Sequence, residues 1–239
     1  MMTFAHDLFV GRTVVIPGGT SGIGAATAER FVGLGARVVC CGLGASGGPR
    51  SERIESRDVN VLQPGALDDF FATLDQIDVL VNCTGVSRDR DEWQKDKFDE
   101  VIAINLTSVM DCCRLSRGRM KAGSSIINIA SMYSTFGAAD RPGYSASKGA
   151  IVQLTKSLAQ EYAAANIRVN AVAPGWIVTP LSRALFADEV VSTPIRNRIP
   201  AGRWGEAAEV ADAIVFLSSE AAAYITGVCL PVDGGYLIS

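Results

Sequence analysis

A β-branched run, Thr13-Val14-Val15-Ile16, passes directly into PGGTSGIGAATAERF, and few junctions restrict a fold more tightly. The first part reads as a strand and the last as a helix, with Ile23, Ala26, Ala28, Phe31 and Leu34 at packing positions. Between them, Gly18, Gly22 and Gly24 leave the main chain uncovered at the helix N-terminus, where backbone N–H groups and the helix dipole favour an anion. Strand, glycine turn and helix in that order suit the pyrophosphate of a dinucleotide. The turn is not a nucleophile elbow, because Ile23 stands where G-x-S-x-G needs its second glycine.

Further apolar runs follow at 37–41, 54–59, 79–82, 126–129, 168–172 and 228–232, separated by helical patterns. This alternation implies right-handed crossovers and a parallel sheet. The expected fold is α/β: a single Rossmann-type doubly wound parallel sheet flanked by helices on both faces. Pro64 is expected to open the helix after the third strand. A helix after Trp93 carries Phe98, Val101, Ile102 and Val109 on one face, with Asn105 on that face by spacing. A core-facing Asn must either meet its hydrogen bonds locally or serve a site.

The most chemically suggestive stretch is SMYSTFGAADRPGYSASK, Ser131 to Lys148. Ile151, Leu154, Leu158 and Tyr162 recur at helical spacing, so Tyr144 and Lys148 stand one turn apart on one face. A free phenol has a pKa of about 10, and lowering it to about 7 takes roughly 4 kcal/mol. One ammonium at ~4 Å and an effective dielectric of about 20 supplies about that much. Ser131 follows the strand Ile126, Ile127, Ile129 and should emerge at its C-terminal end, the edge where ligands bind in open parallel sheets.

At the end of the second strand, Gly42-Leu43-Gly44 offers neither an acid for the ribose hydroxyls nor an Arg for a 2′-phosphate. Ser21 is also uncharged, and Leu43 would set apolar surface against a phosphate dianion. NAD(H) is therefore favoured, while Arg50 and Arg53 in the next loop keep NADP(H) open.

Composition narrows the classes further. The 239 residues are 48% hydrophobic and 20% charged, with formal net charge −3, which fits one globular α/β domain. No basic tail, Lys/Arg-rich face or long apolar run marks a nucleic-acid or membrane partner, so a soluble, cytoplasmic protein is expected. The six cysteines at 40, 41, 83, 112, 113 and 229 lack C-x-x-C spacing, and His6 is the only histidine. No metal site is expected, and a Ser-His triad is nearly excluded.

These motifs together resemble the short-chain dehydrogenase/reductase family from Gly11 to Gly235. The resemblance rests on Gly18-x-x-x-Gly22-Ile23-Gly24, Asp58-Val59, Asn82-x-x-Gly85, Asn105, Ser131, Tyr144-x-x-x-Lys148, Asn170, Pro174-Gly175, Thr179-Pro180 and Asp233-Gly234-Gly235. It implies a hydride transfer between a nicotinamide cofactor and a secondary alcohol or ketone. Tyr144 would be acid/base, Lys148 would lower its pKa and hold the nicotinamide ribose, Ser131 would polarise the substrate oxygen, and Asn105 would anchor a relay water. Cofactor contacts would come from Gly18, Thr20, Ser21, Gly22, Ile23, Leu43, Asp58, Val59, Asn82, Thr84, Gly85, Tyr144, Lys148, Pro174, Gly175, Ile177 and Thr179.

Residues 1–239 would form one dinucleotide-binding oxidoreductase domain, with a substrate-covering segment at about 176–200 and a homotetrameric assembly. Two departures from the family pattern are Pro17, where Thr is usual, and Cys83-Thr84 in place of Asn-Ala. The short covering segment fits a small molecule. Arg141, on the loop before Tyr144, resembles a carboxylate clamp in members acting on small hydroxy acids, although a solvated Arg beside Asp140 is the competing reading. Ser131, Tyr133, Arg141 and Trp176 are thus the candidate substrate contacts. An NADP(H)-dependent carbonyl reductase and a non-catalytic dinucleotide sensor or scaffold are the alternatives.

Overall fold

A computed structural model describes residues 4–239. Seven parallel strands lie in the order β3-β2-β1-β4-β5-β6-β9: β1 Thr13–Pro17, β2 Arg37–Gly42, β3 Ile54–Asp58, β4 Val79–Asn82, β5 Ser125–Ile129, β6 Arg168–Pro174 and β9 Cys229–Val232. A small parallel pair, β7 Ile177–Val178 and β8 Gly205–Glu206, stands apart. Strand order reverses between β1 and β4, a switch point that opens a crevice at the strands' C-terminal ends.

Alternating residues decide which layer each strand builds. Val14, Ile16, Val38 and Cys40 face one side, with Phe31 of α1 (Gly22–Gly33) and Val210 and Ile214 of α8 (Ala207–Ser218). Their neighbours Val15, Val39 and Cys41 face the other, with Phe70 of α2 (Ala66–Ala72), Cys112 of α4 (Ser108–Arg117), and Ile151 and Leu158 of α5 (Pro142–Ala163). Both faces are thus helix-covered, as a doubly wound sheet requires. Ile151 is fully buried, and truncation to Ala would cost about 2–5 kcal/mol.

Pro17 is the last residue of β1, where its missing N–H is harmless, and its carbonyl still accepts from Cys83 N at 2.8 Å. Pro64 does not open α2; the helix begins two residues later, after Gly65 in the left-handed conformation. The helix expected after Trp93 is also interrupted. Its first part, α3 (Lys95–Ile102), meets α4 through a widened π turn at Ala103–Thr107 that contains Asn105. Such turns frequently mark functional positions.

The segment at 176–200 carries β7, α6 (Arg183–Ala187) and α7 (Glu189–Arg198) beside the crevice. Asp188 caps α7 by accepting from Val190 N. Among the described residues, no helix is long and apolar enough to cross a membrane.

Candidate active site

The glycine turn folds tightly on itself. Gly18 N donates to Cys41 O at 2.7 Å and Gly19 N to Ile16 O at 2.9 Å. A Cβ on Gly18, whose φ is +78°, would collide with the Cys83–Thr84 backbone, and one on Gly24 would collide with the Gly18 carbonyl. At Gly22, whose φ is +53°, a Cβ would come only into ordinary contact with Thr179 and Pro180, and Ser21 at the N-cap of α1 makes no side-chain cap bond. The exposed N–H groups and positive dipole end make a cradle for a diphosphate.

A cleft of ≈ 350 Å³ runs from this turn to the N-terminal part of α5. Gly18, Thr20, Ser21, Gly22 and Ile23 line its floor. Leu43 and Val59 border one end, Thr84 and Gly85 the middle, and Tyr144, Lys148 and Thr179 the other end. Thr84 Oγ1 is buried without a partner among the described residues, and the backbone-lined floor admits a long anionic ligand; the residues present therefore fit a dinucleotide.

Five expected cofactor contacts lie off this cleft. Asp58 Oδ1 accepts from Gly44 N at 2.8 Å and Ala45 N at 3.4 Å, so its carboxylate shapes the loop after β2. Asn82 lies inside the sheet, its Nδ2 donating to Asn128 Oδ1 at 2.8 Å, while its Oδ1 is buried with no partner among the described residues. Pro174 ends β6, and a Cβ on Gly175 would come within 2.7 Å of the Asp233 side chain. Ile177 packs over Gly205 and joins the core beneath. These last three residues do not line the cleft, although Thr179 shortly after them does. Arg50 and Arg53 donate to Ser46 O and Gly35 O, so neither stands free at the ribose end.

At the opposite end, polar side chains are locked mainly by backbone groups of neighbouring segments. Ser131 follows β5 as expected and caps the turn Met132–Ser134; its Oγ accepts from Tyr133 N at 3.2 Å, leaving its own proton available. Asn105 meets its needs locally, its Oδ1 accepting from Val86 N at 2.8 Å and its Nδ2 donating to Val86 O and Ser147 Oγ. Lys148 lies 3% exposed on α5, and its Nζ donates to Ile129 O at 2.7 Å and sits 5.6 Å from the centre of the Tyr144 ring. Burial lowers its pKa to about 8, partly offset by Cys83.

The electrostatics of Tyr144 differ from the spacing argument. Burial raises the phenol above its ordinary range, and the counteracting groups are the Ser131 hydroxyl and the Arg141 guanidinium. Lys148 turns its ammonium to the Ile129 carbonyl, which weakens the through-space effect calculated for a free ammonium at close range.

Arg141 also differs from expectation. Asp140 holds it at 2.8 Å and Asp89 at 3.1 Å, and it lies 5.6 Å from the Tyr133 ring, so two carboxylates already occupy the proposed clamp. The Tyr133 ring stands edge-on to those of Tyr144, at 6.0 Å, and Trp176, at 6.3 Å. This aromatic wall flanks Ser131.

Sequence reasoning passed over Asn60, Val61 and Val86, which also line the cleft, whereas Leu181, another lining residue, lies in the expected covering segment. It passed over Glu92 as well, which is 1% exposed although it sits among Arg88, Asp89, Arg90 and Asp91. Such a charged string carries no signal of burial.

The chain matches the family model described as enoyl-(acyl carrier protein) reductase over residues 18–237. It is 37% identical to a 2-dehydro-3-deoxy-D-gluconate 5-dehydrogenase of Bacillus subtilis, covering 99% of each chain. It is likewise 37% identical to a 3-oxoacyl-acyl-carrier-protein reductase of Salmonella typhimurium, covering 95% of this chain and 98% of that one. A solved structure from Agrobacterium tumefaciens, provisionally named a 2-deoxy-d-gluconate 3-dehydrogenase and holding NADP, superposes with a TM-score of 0.87 at 34% identity. That match covers 98% of this chain and 99% of the other.

Proposed function

Since the chain belongs to the short-chain dehydrogenase/reductase family and is an NAD(P)-dependent oxidoreductase, we propose that it interconverts a secondary alcohol and ketone on a small sugar acid, with NAD(H) as cofactor. The observation that carries this reading is one continuous cleft: a glycine cradle at one end, and Tyr144 and Lys148 at the other, with the Ser131 hydroxyl against the Tyr144 phenol. The gluconate-type relatives support the substrate class.

The nicotinamide, when bound, supplies or accepts the hydride. Tyr144 then gives its phenolic proton to the carbonyl oxygen in reduction and takes the hydroxyl proton in oxidation. Ser131, its lone pair engaged by Tyr133 N–H, directs its own proton at the same oxygen and stabilises the charge that develops there. Lys148 holds a cation at the cleft beside Gly85 and exchanges protons in the neutral-to-basic range. Asn105 clamps Val86 to α5 and is the proposed relay anchor. Tyr133 and Trp176 wall the substrate, and the segment at 176–200 covers it. Residues 1–239 act as one domain, in a cytoplasmic homotetramer.

A second reading, an NADP(H)-dependent carbonyl reductase, is favoured by the NADP in the Agrobacterium structure and by the acyl-carrier-protein reductase relative. The uncharged Leu43 edge and the engaged Arg50 and Arg53 favour NAD(H). Titration of NADH and NADPH by nicotinamide fluorescence, with turnover on sugar acids and 3-oxoacyl thioesters, separates the two. Tighter NADH binding with sugar-acid turnover is the expected result. Tighter NADPH binding with thioester reduction would replace the first reading by the second.

A further inference from the structure

Glu92 occupies a place that its sequence neighbours do not suggest. It lies in the short turn Asp89–Trp93 before α3, yet its side chain is buried. One oxygen, Oε2, accepts from the backbone N–H of Tyr144 at 2.8 Å. The other, Oε1, accepts from Arg88 N at 2.8 Å and Ser87 Oγ at 3.2 Å. Both oxygens are therefore committed, one to the first turn of a 22-residue helix and one to the loop that leaves β4.

We infer that Glu92 is a positioning residue, its carboxylate pinning the start of α5 to the β4 loop and thereby setting where the Tyr144 phenol stands in the cleft. Two features of the geometry support this. Arg141, at the N-cap of α5, makes no side-chain cap bond, so Glu92 supplies from a distant segment the acceptor that a helix N-terminus needs. Gly143 leaves room for it: a Cβ there would lie 3.4 Å from Glu92 Oε2 and 3.2 Å from the Phe98 ring. The β4 loop so pinned also carries Val86, which Asn105 holds from the π turn. Glu92 and Asn105 thus grip one loop from two sides, and that loop lines the cleft.

The groups facing the Tyr144 phenol come from four places. Ser131 and Tyr133 follow β5, Lys148 lies on the same helix, Arg141 precedes it, and Glu92 reaches it from before α3. Cys83, at the end of β4, faces Lys148. Glu92 is the anionic member of this set, and its charge opposes ionisation of the phenol. Removing the charge should therefore make Tyr144 ionise at lower pH, an effect that a purely structural brace would not produce.

This inference rests on Tyr144 being the acid/base, and Tyr144→Phe is measured alongside so that the two can fail separately. In Glu92→Gln, an amide replaces the second acceptor oxygen at nearly unchanged volume. The expected result is a kcat lowered about 10-fold or more, a cofactor Kd within about 2-fold of wild type, and an oxidation rate whose rising pH limb moves to lower pH. Gly143→Ala presses a methyl group on the Phe98 ring at 3.2 Å, beside the carboxylate and with its charge in place, so it should shift the start of α5 and lower kcat without moving that limb.

Wild-type kcat and an unmoved limb in Glu92→Gln would overturn the inference. So would parallel loss of kcat and cofactor affinity with the limb unmoved. If Glu92→Gln does not fold, Gly143→Ala decides, and wild-type kcat there overturns the inference. Should Tyr144→Phe keep full turnover, the acid/base reading itself falls, whatever the Glu92 variants do.

Discussion

The two ends of the cleft are built on opposite plans. The glycine end is main chain packed against main chain: at Gly18 and Gly24 there is no room for a methyl group. The tyrosine end is a set of buried polar side chains, each held by the main chain of another segment, as in Asn105 with Val86, Lys148 with Ile129 and Glu92 with Tyr144. The contrast separates what can be lost at each end. A substitution at the glycine end should damage the fold and the cofactor cradle together, whereas one at the tyrosine end can remove chemistry from a cleft that still forms.

Tyr144→Phe is the most severe test of that separation. Loss of the phenolic proton should lower turnover by at least about 10²-fold. Cofactor binding, followed by nicotinamide fluorescence, should persist, and a lost cofactor signal would break the comparison. At the other end, Gly24→Ala forces a methyl group onto the Gly18 carbonyl and should destabilise the protein by about 3 kcal/mol or more. Thermal unfolding would reveal this as a melting temperature several degrees lower, and a wild-type value would mean the turn can relax.

Lys148 sharpens the comparison through pH. Its folded pKa is about 8, below the ordinary 10.5 of an exposed lysine, so below about pH 8 the folded protein carries a buried ammonium that costs stability. Between pH 8 and 10.5 the unfolded chain still binds the proton and the folded one has released it. Stability relative to Lys148→Met should therefore rise across that window, by on the order of 3 kcal/mol at most. Denaturant titrations at pH 7, 9 and 10.5 would measure it, and a difference independent of pH would refute the buried-cation account.

The smallest expected effect lies at the open ribose edge. Leu43 is 69% exposed, so Leu43→Arg should leave stability unchanged while improving NADPH affinity relative to NADH by about 10-fold, the scale of one new charge-assisted contact. Gly42 is a poorer place for such a test. Its φ is +155°, and a Cβ would press to 3.1 Å from Thr20 Oγ1, mixing strain with recognition.

Much of this molecule was determined locally and was therefore legible in the chain. Alternating β-branched runs and helical spacing specify a parallel doubly wound sheet, because each strand's period of two feeds two helical layers. Local spacing also puts Tyr144 and Lys148 on one helical face, Ser131 at the end of β5 and Gly18, Gly22 and Gly24 in the β1–α1 turn.

What depended on partners far along the chain was decided by the tertiary structure alone. Asp58 turns to the loop at Gly44, Asn82 to Asn128, Arg141 to Asp89 and Glu92 to Tyr144. The physical reason is common to all four. A polar side chain goes where its hydrogen bonds and charge are met, and which distant group meets them is known only when the fold brings that group within reach.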